Sequence, residues 1–257
     1  VRVLVVGGSG FLGYHVVAEL LARGHEVSTL GRRPAPHLDS RVVAHVGDVC
    51  GAADLAELVR GLDGVVFAAG ADDRTAPPSP AYPYFAARNV LPVSRLLSAA
   101  RDAGATRAVV LGSYFTAMDR RWPELGLAAR HPYIRSRVAQ ADAAHEAGGA
   151  ELATTVLEIP FVFGAAPGSH PLWAPLVPWL RSAAPLLAPP GGTAVVTVAT
   201  LARTAVAALE QRTAGPCEVV DENLSWAQLF TRFATAAGRP RDTRRLPPSA
   251  LRAAVRL

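Results

Sequence analysis

Apolar positions in the first two-thirds of the chain fall into two kinds of run. Short unbroken apolar stretches suit parallel strands covered on both faces. Longer stretches with apolar residues three and four apart suit helices. On this basis the pattern predicts strands over residues 2–6, 26–30, 42–46, 64–69, 108–111 and 154–159. Helices are predicted over 11–23, 53–60, 85–103 and 133–147, with a loop rich in Pro, Asp and Tyr over 70–83. Gly24, Gly104 and the pair Gly148-Gly149 stop three of these helices, as glycine does where a helix ends in a left-handed residue. Strands and helices alternating at this pace are βαβ units. The predicted fold class is therefore α/β, a Rossmann-type doubly wound parallel sheet.

The pattern changes after Phe163. Pro and Gly become dense over 164–192, and short pieces follow: a strand over 194–198, a helix over 201–211 and a strand over 218–220. A last helix starts near Trp226 with Ser225 as its N-cap. The expected organisation is a dinucleotide-binding domain over 1–163 and a small C-terminal substrate lobe over 164–257, interwoven with the first and not folding alone. Trp173, Leu176, Val177, Trp179, Leu186 and Leu187 would either cover an apolar substrate or pack between the lobe and the sheet.

Composition narrows the class. Half of the residues are apolar, enough for a continuous core. The longest apolar stretch, 172–187, is broken by Pro175, Pro178, Arg181 and Pro185, so no membrane span is expected. The apolar opening 1–6 is too short for a signal peptide, and the expectation is a soluble, cytoplasmic protein. Cys50 and Cys217 lack the spacing of a disulfide framework or a metal site. All 26 basic residues are arginine. They are dispersed, apart from Arg32-Arg33, Arg120-Arg121 and the run 239–245, which argues against a nucleic-acid partner.

The clearest chemistry lies at the end of the first strand, where Gly7-Gly8-Ser9-Gly10-Phe11-Leu12-Gly13 leads into a helix. Gly7 allows the tight turn, Gly10 lets backbone N–H groups approach a pyrophosphate, and Gly13 allows close packing of helix on sheet. The helix N-terminus adds partial positive charge. After the second strand comes Leu30-Gly31-Arg32-Arg33, with no acid in reach to hold a ribose 2′-hydroxyl. Two guanidiniums suit a 2′-phosphate, so NADP(H) is expected over NAD(H); the alternative is a solvated loop pair. Asp48, in Gly47-Asp48-Val49, could accept the adenine amino group or cap a turn.

Taken together these pieces resemble the extended short-chain dehydrogenase/reductase family, also called NAD(P)-dependent epimerase/dehydratases. The resemblance covers nearly the whole chain. It rests also on Val65-Val66-Phe67-Ala68-Ala69-Gly70, Asn89-Val90, Leu111-Gly112-Ser113, Tyr133-Ile134-Arg135-Ser136-Arg137 and Leu157-Glu158-Ile159-Pro160-Phe161-Val162-Phe163-Gly164. It implies that Phe11, Leu12, Val49, Ala68, Ala69, Gly70, Pro160 and Val162 join the glycines at the dinucleotide, and that a homodimer is an option. It also implies a catalytic group. Ser113 would polarise a substrate carbonyl or hydroxyl, Tyr133 would trade a proton with that oxygen, and Asn89 would hold a water in a proton path or merely bend its helix.

The residue one helical turn after the tyrosine is lysine in the family and Arg137 here. Arginine keeps the charge that favours a tyrosinate but cannot exchange a proton near neutral pH. His131 could supply that exchange, or be a loop residue. Gly112 stands where many relatives carry a hydroxyl residue, Glu158 where an arginine is common, and Asp72-Asp73-Arg74 is unusual. The expected function is an NADPH-dependent oxidoreductase acting on a carbonyl or hydroxyl of a small metabolite. The alternatives are a catalytically silent NADP(H)-binding or redox-sensing protein and a sugar-nucleotide epimerase or dehydratase.

Overall fold

The computed structural model describes residues 1–51, 54–72, 76–169 and 173–247. From the N-terminus, β1 (Arg2–Val6) passes through the glycine turn into α1 (Phe11–Ala22), followed by β2 (Glu26–Gly31) and β3 (Val43–Val46). Next come α2 (Leu55–Leu58), β4 (Gly64–Phe67), α3 (Ala81–Phe85), a π-helical turn (Ala86–Val90) and α4 (Leu91–Asp102). Then follow β5 (Arg107–Leu111), α5 (Phe115–Arg121), α6 (Leu127–Arg130), α7 (Pro132–Gly148), β6 (Ala153–Glu158) and β7 (Phe161–Phe163). The rest holds α8 (Val177–Arg181), β8 (Leu187–Ala188), β9 (Gly192–Thr197), α9 (Val198–Gln211), β10 (Gly215–Glu218), β11 (Glu222–Ser225), α10 (Trp226–Ala236) and β12 (Arg244–Arg245).

The chain divides into two compact units. The first comprises Val1–Ile159 and Val198–Val219, the second Pro160–Thr197 and the chain from Val220 onward. The first unit contains a seven-stranded sheet in the order β10-β6-β5-β4-β1-β2-β3, with every neighbouring pair parallel. The strand order reverses between β1 and β4, the point where open α/β sheets bind ligands beyond their carboxyl ends. On one face Leu4, Val6, Val65, Phe67 and Val110 pack with Val93, Leu96, Leu97 and Ala100 of α4 and with Ala144 and Ala147 of α7. The other face takes α1 and α9, whose buried Val16, Val17, Leu20, Leu201, Ala205 and Leu209 recur at helical spacing.

The sheet differs from the sequence expectation at its edge. A seventh strand, β10, pairs with β6 four residues by four from Gly215 to Glu218, earlier than the strand expected over 218–220. Gly215-Pro216 reads as a turn in sequence, but an edge strand tolerates a proline that donates no ladder bond. The expected lobe over 164–257 likewise gives 198–219 back to the first unit, because the apolar stripe of α9 belongs to the sheet.

The helix expected over 85–103 is composite. Pro92 has no N–H to donate to the carbonyl four residues earlier, and the chain widens into the π turn just before it. The helix expected from Ala53 begins at Leu55, capped by Asp54; Ala53 lies outside the described residues. The second unit holds a three-stranded sheet, β11-β9-β7, and a pair, β12-β8. Its aromatics pack on one another: Trp173 stacks on Phe163 at 5.7 Å and contacts Phe161 and Phe233 at 5.3 and 5.2 Å between centroids. Trp226, Trp179 and Phe230 extend that cluster over the buried Leu180, Leu186 and Leu229.

Candidate active site

The glycine turn is built by close backbone approach. Gly7 has φ +83°, and a Cβ there would stand 2.9 Å from the carbonyl carbon and oxygen of Ala68 at the end of β4. A Cβ on Gly13 would come within 2.2 Å of the Gly7 carbonyl oxygen, and one on Gly8 within 2.5 Å of Thr29 Cγ2. Gly7 N–H donates to Leu30 O at 2.8 Å and Gly10 N–H to Gly7 O at 3.0 Å, so the turn is locked onto β2. Gly10 is the N-cap of α1 and offers no side-chain acceptor, and no acid occupies the first helical turn. The N–H groups of that turn are thus left for an anion. Phe11 and Leu12, the first residues of the helix, are half-buried.

Around this turn the other expected cofactor residues are disposed unequally. Arg32 and Arg33 follow β2 and are exposed. Their loop is tethered to the turn where His37 Nε2 meets the Ser9 carbonyl oxygen at 3.2 Å. Asp48 accepts the Cys50 N–H at 2.9 Å and so makes a turn of its own. Val49 is buried in the sheet core. Burial pushes the Cys50 thiol up, with Asp48 adding to the effect. Ala68 N–H donates to Val6 O at 2.8 Å, which carries Ala68, Ala69 and Gly70 out beside the glycine turn. Pro160 and Val162 lie in the second unit, Val162 within β7. Asp73 and Arg74 fall outside the described residues.

Tyr133 sits in the first turn of α7, half-buried, its ring edge-on to Phe85 at 5.5 Å and to Phe115 at 6.2 Å. Its hydroxyl makes no hydrogen bond with a described residue. Arg137, one turn on, is buried, with its guanidinium carbon 5.9 Å from the Tyr133 ring centroid. Arg137 Nη2 donates to Leu111 O at the end of β5 at 2.7 Å, while its Nε is buried without a partner. Ser113, two residues past Leu111, is 5% exposed and accepts the Phe115 N–H at 3.4 Å. His131 is the exposed N-cap residue of α7.

Asn89 lies within the expected helix, in its widened π turn. It is fully buried in the π turn, and its Oδ1 accepts the Ala71 N–H at 2.7 Å. Its Nδ2 donates to Ala71 O at 3.1 Å and to Ser136 Oγ at 3.3 Å, so both amide protons are committed. Ser136 Oγ in turn donates to Tyr133 O at 2.7 Å. Asn89 therefore ties the segment after β4 to the first turn of α7. A Cβ on Gly70 would meet Asn89 Oδ1 at 3.0 Å and Arg137 Nη1 at 3.4 Å, which puts Gly70, Asn89 and Arg137 at one spot.

Residues 3–216 match the model of the NAD dependent epimerase/dehydratase family. The chain belongs to that family. It is 42% identical over 73 residues to a 3-beta-hydroxysteroid dehydrogenase of Mycolicibacterium neoaurum, covering 28% of this chain and 20% of that protein. It is 28% identical over 181 residues to a 2-alkyl-3-oxoalkanoate reductase of Stenotrophomonas maltophilia, 66% of this chain and 53% of that one. The matched segments thus span about half or less of these curated relatives. The solved enzyme WbmH of Bordetella bronchiseptica, in complex with NAD+, superposes with a TM-score of 0.76 at 19% identity, covering 95% of this chain and 85% of that one. That likeness is one of fold.

Within this epimerase/dehydratase frame, three partners of the site were not singled out from the sequence. Ser136 is one; its position three after Tyr133 was the only signal. Thr116 and Arg120 are the others, and both reach Glu158, which is 2% exposed. Arg120 grips it with Nη1 on Oε1 at 2.8 Å and Nη2 on Oε2 at 2.9 Å, and Thr116 Oγ1 lies 2.7 Å from Oε1. Glu158, which stands where the family resemblance implies an arginine, is thus paired here with a cation on α5. Gly112 also has a steric reason, since a Cβ there would stand 2.7 Å from Leu157 O. Among the described residues there is no His, Cys, Asp and Glu cluster fit for a metal, and no helix long and apolar enough to cross a membrane.

Proposed function

We propose that this chain is an NADP(H)-dependent oxidoreductase that interconverts a carbonyl and a hydroxyl on a small metabolite, with Tyr133 as the acid or base. The observation that carries this reading is the placement of Tyr133. Its ring packs against Phe85 and Phe115, its hydroxyl makes no hydrogen bond with a described residue, and a buried guanidinium stands one helical turn away. Arg137 carries at that position a fixed positive charge, as a lysine would. Ser113, presented where β5 ends, polarises the same substrate oxygen. Arg137 cannot relay a proton, so the tyrosine exchanges its proton with solvent or through His131.

The dinucleotide fits the residues present. Gly7, Gly10 and Gly13 leave the cradle that a side chain would fill, and the first turn of α1 offers its N–H groups to the pyrophosphate. Arg32 and Arg33 hold the 2′-phosphate, and the buried, unpartnered Nε of Arg137 suits a ribose hydroxyl. When bound, the nicotinamide supplies or accepts hydride. The relatives named as a hydroxysteroid dehydrogenase and an oxoalkanoate reductase support this reaction class. WbmH, seen with NAD+, supports the dinucleotide but not the choice of NADP(H).

A second reading, a catalytically silent NADP(H)-binding protein, is favoured by Arg137 alone. Turnover of NADPH with a panel of ketones, hydroxysteroids and UDP-sugars separates the two. Tyr133→Phe is expected to lower kcat by roughly 10²–10⁴-fold with cofactor affinity unchanged. Wild-type turnover in Tyr133→Phe refutes the acid/base assignment, and no turnover with any compound supports the silent reading. Fluorescence titration with NADPH and NADH tests the cofactor, and tighter NADH binding overturns the NADP(H) assignment.

A further inference from the structure

We infer that Glu158 is a positioning residue, whose buried charge holds the turn that presents Ser113. The inference deepens the reading above and rests on it for the catalytic importance of Ser113. The turn from β5 into α5 has little sequence support of its own. Its helix is seven residues long with no side-chain cap bond, and Ser113 Oγ receives only a long 3.4 Å bond from Phe115 N–H. Within the turn, Thr116 N–H donates to Ser113 O at 3.1 Å; what anchors the turn to the sheet comes from the neighbouring strand.

Leu111 pairs with Leu157, so Glu158 ends β6 beside the point where the chain leaves β5. Gly112 lets the two strands approach there without a side chain between them, and Tyr114 N–H donates to Ile159 O at 3.1 Å. Thr116 Oγ1 stands 2.7 Å from Ser113 O and 2.7 Å from Glu158 Oε1, so its single proton is shared between these acceptors. Arg120, a turn further along α5, closes the clamp with two bonds to the same carboxylate.

A carboxylate with 1% of its side chain exposed is tolerated only where charge and hydrogen bonds compensate its lost hydration. Here every compensating group comes from α5: a hydroxyl three residues after Ser113 and a guanidinium seven after it. The segment can leave this place only by stranding the buried charge. An apolar or amide side chain at 158 would fill the space without imposing that condition. The charge therefore selects the position of α5 and, through the Thr116 hydroxyl, of the Ser113 carbonyl.

Amide hydrogen exchange read by mass spectrometry on the full chain tests this. In Glu158→Gln and in Thr116→Val, peptides covering 113–118 should exchange at least tenfold faster than in wild type, while β4 peptides keep their protection. Arg120→Lys, which preserves the charge, should restore most of the protection that Arg120→Met loses. Unchanged exchange over 113–118 in Thr116→Val overturns the proposal. That variant leaves the ion pair in place and tests the link to the Ser113 carbonyl, while unchanged exchange in Arg120→Met overturns the role of the buried charge even if Glu158→Gln does not fold. With a carbonyl compound that wild type turns over, Glu158→Gln should lower kcat more than KM, and the double variant with Ser113→Ala should be no worse than Ser113→Ala alone. Independent, multiplicative losses overturn the proposal. If Ser113→Ala retains full turnover, the catalytic reading of Ser113 fails, while the exchange data still decide the clamp.

Discussion

Gly13 is held to its identity by one short distance, and Arg32 by none. A Cβ at position 13 must overlap the Gly7 carbonyl oxygen at 2.2 Å, and that oxygen belongs to backbone that cannot swing aside. Gly13→Ala should therefore separate α1 from β1, costing about 1–3 kcal/mol in overpacking strain. It should also abolish tight NADPH binding, as read by denaturant titration and by cofactor fluorescence. Arg32 and Arg33 are exposed and no packing depends on them. Arg32→Ala and Arg33→Ala should leave stability unchanged and weaken NADPH roughly 10–100-fold each, the worth of a charge-assisted hydrogen bond of about 1.5–3 kcal/mol. NADH affinity should hardly move; equal losses for both nucleotides would mean that the arginines touch something other than the 2′-phosphate. The glycines were legible in the sequence because their constraint is local, a turn between a strand and a helix. The partner of Glu158 was not, since Arg120 lies 38 residues earlier and meets it only through strand pairing.

Among the elements, legibility followed length and periodicity. The twelve-residue α1 and fourteen-residue α9 carry enough apolar repeats to declare themselves, whereas the seven-residue α5 and four-residue α6 span too few turns. The π turn was hidden for another reason. Residues 85–103 keep an apolar stripe throughout, and the missing N–H of Pro92 is accommodated by widening the helix, which turns Asn89 inward. Helix α10 shows the opposite case, where a short local signal sufficed. Ser225 Oγ accepts the Gln228 N–H at 3.2 Å, and the Gln228 side chain accepts the Ser225 N–H at 2.8 Å, a complete capping box. Ser225→Ala should destabilise α10 by about 0.5–2 kcal/mol, visible as a lower denaturation midpoint for tryptophan fluorescence. No change would mean that Gln228 or solvent satisfies the helix end unaided. A pH effect belongs at this scale too. Burial pushes the Glu210 carboxyl up, but hydrogen bonds from His25 and Arg23 outweigh it and hold the group below its ordinary range. Its contribution to docking α9 beside α1 is present above the unfolded carboxylate range and is lost as pH falls through the folded pKa. Glu210→Gln should flatten that acid limb of the stability profile.

At the scale of the molecule, the two units differ in how their cores are made. The first has a continuous sheet with both faces covered, and its apolar contacts run from α2 across to α7. The second relies on clusters with three buried residues each, supplemented by half-buried aromatic rings. Small cores leave less net stability after conformational entropy is counted, so the second unit should unfold at lower denaturant. The chain carries its own reporters for this. Trp173, Trp179 and Trp226 lie in the second unit and Trp122 alone in the first, whereas most helix and sheet lies in the first. Tryptophan fluorescence should therefore lose its native signal before far-UV circular dichroism does. NADPH at a hundredfold excess over its Kd should stabilise the unit that holds the glycine turn by about 2.7 kcal/mol. That shift should appear in the dichroism transition and leave the fluorescence transition in place. Coincident transitions that move together with NADPH would show instead that the two units unfold as one, and that the cofactor's binding energy is shared across both.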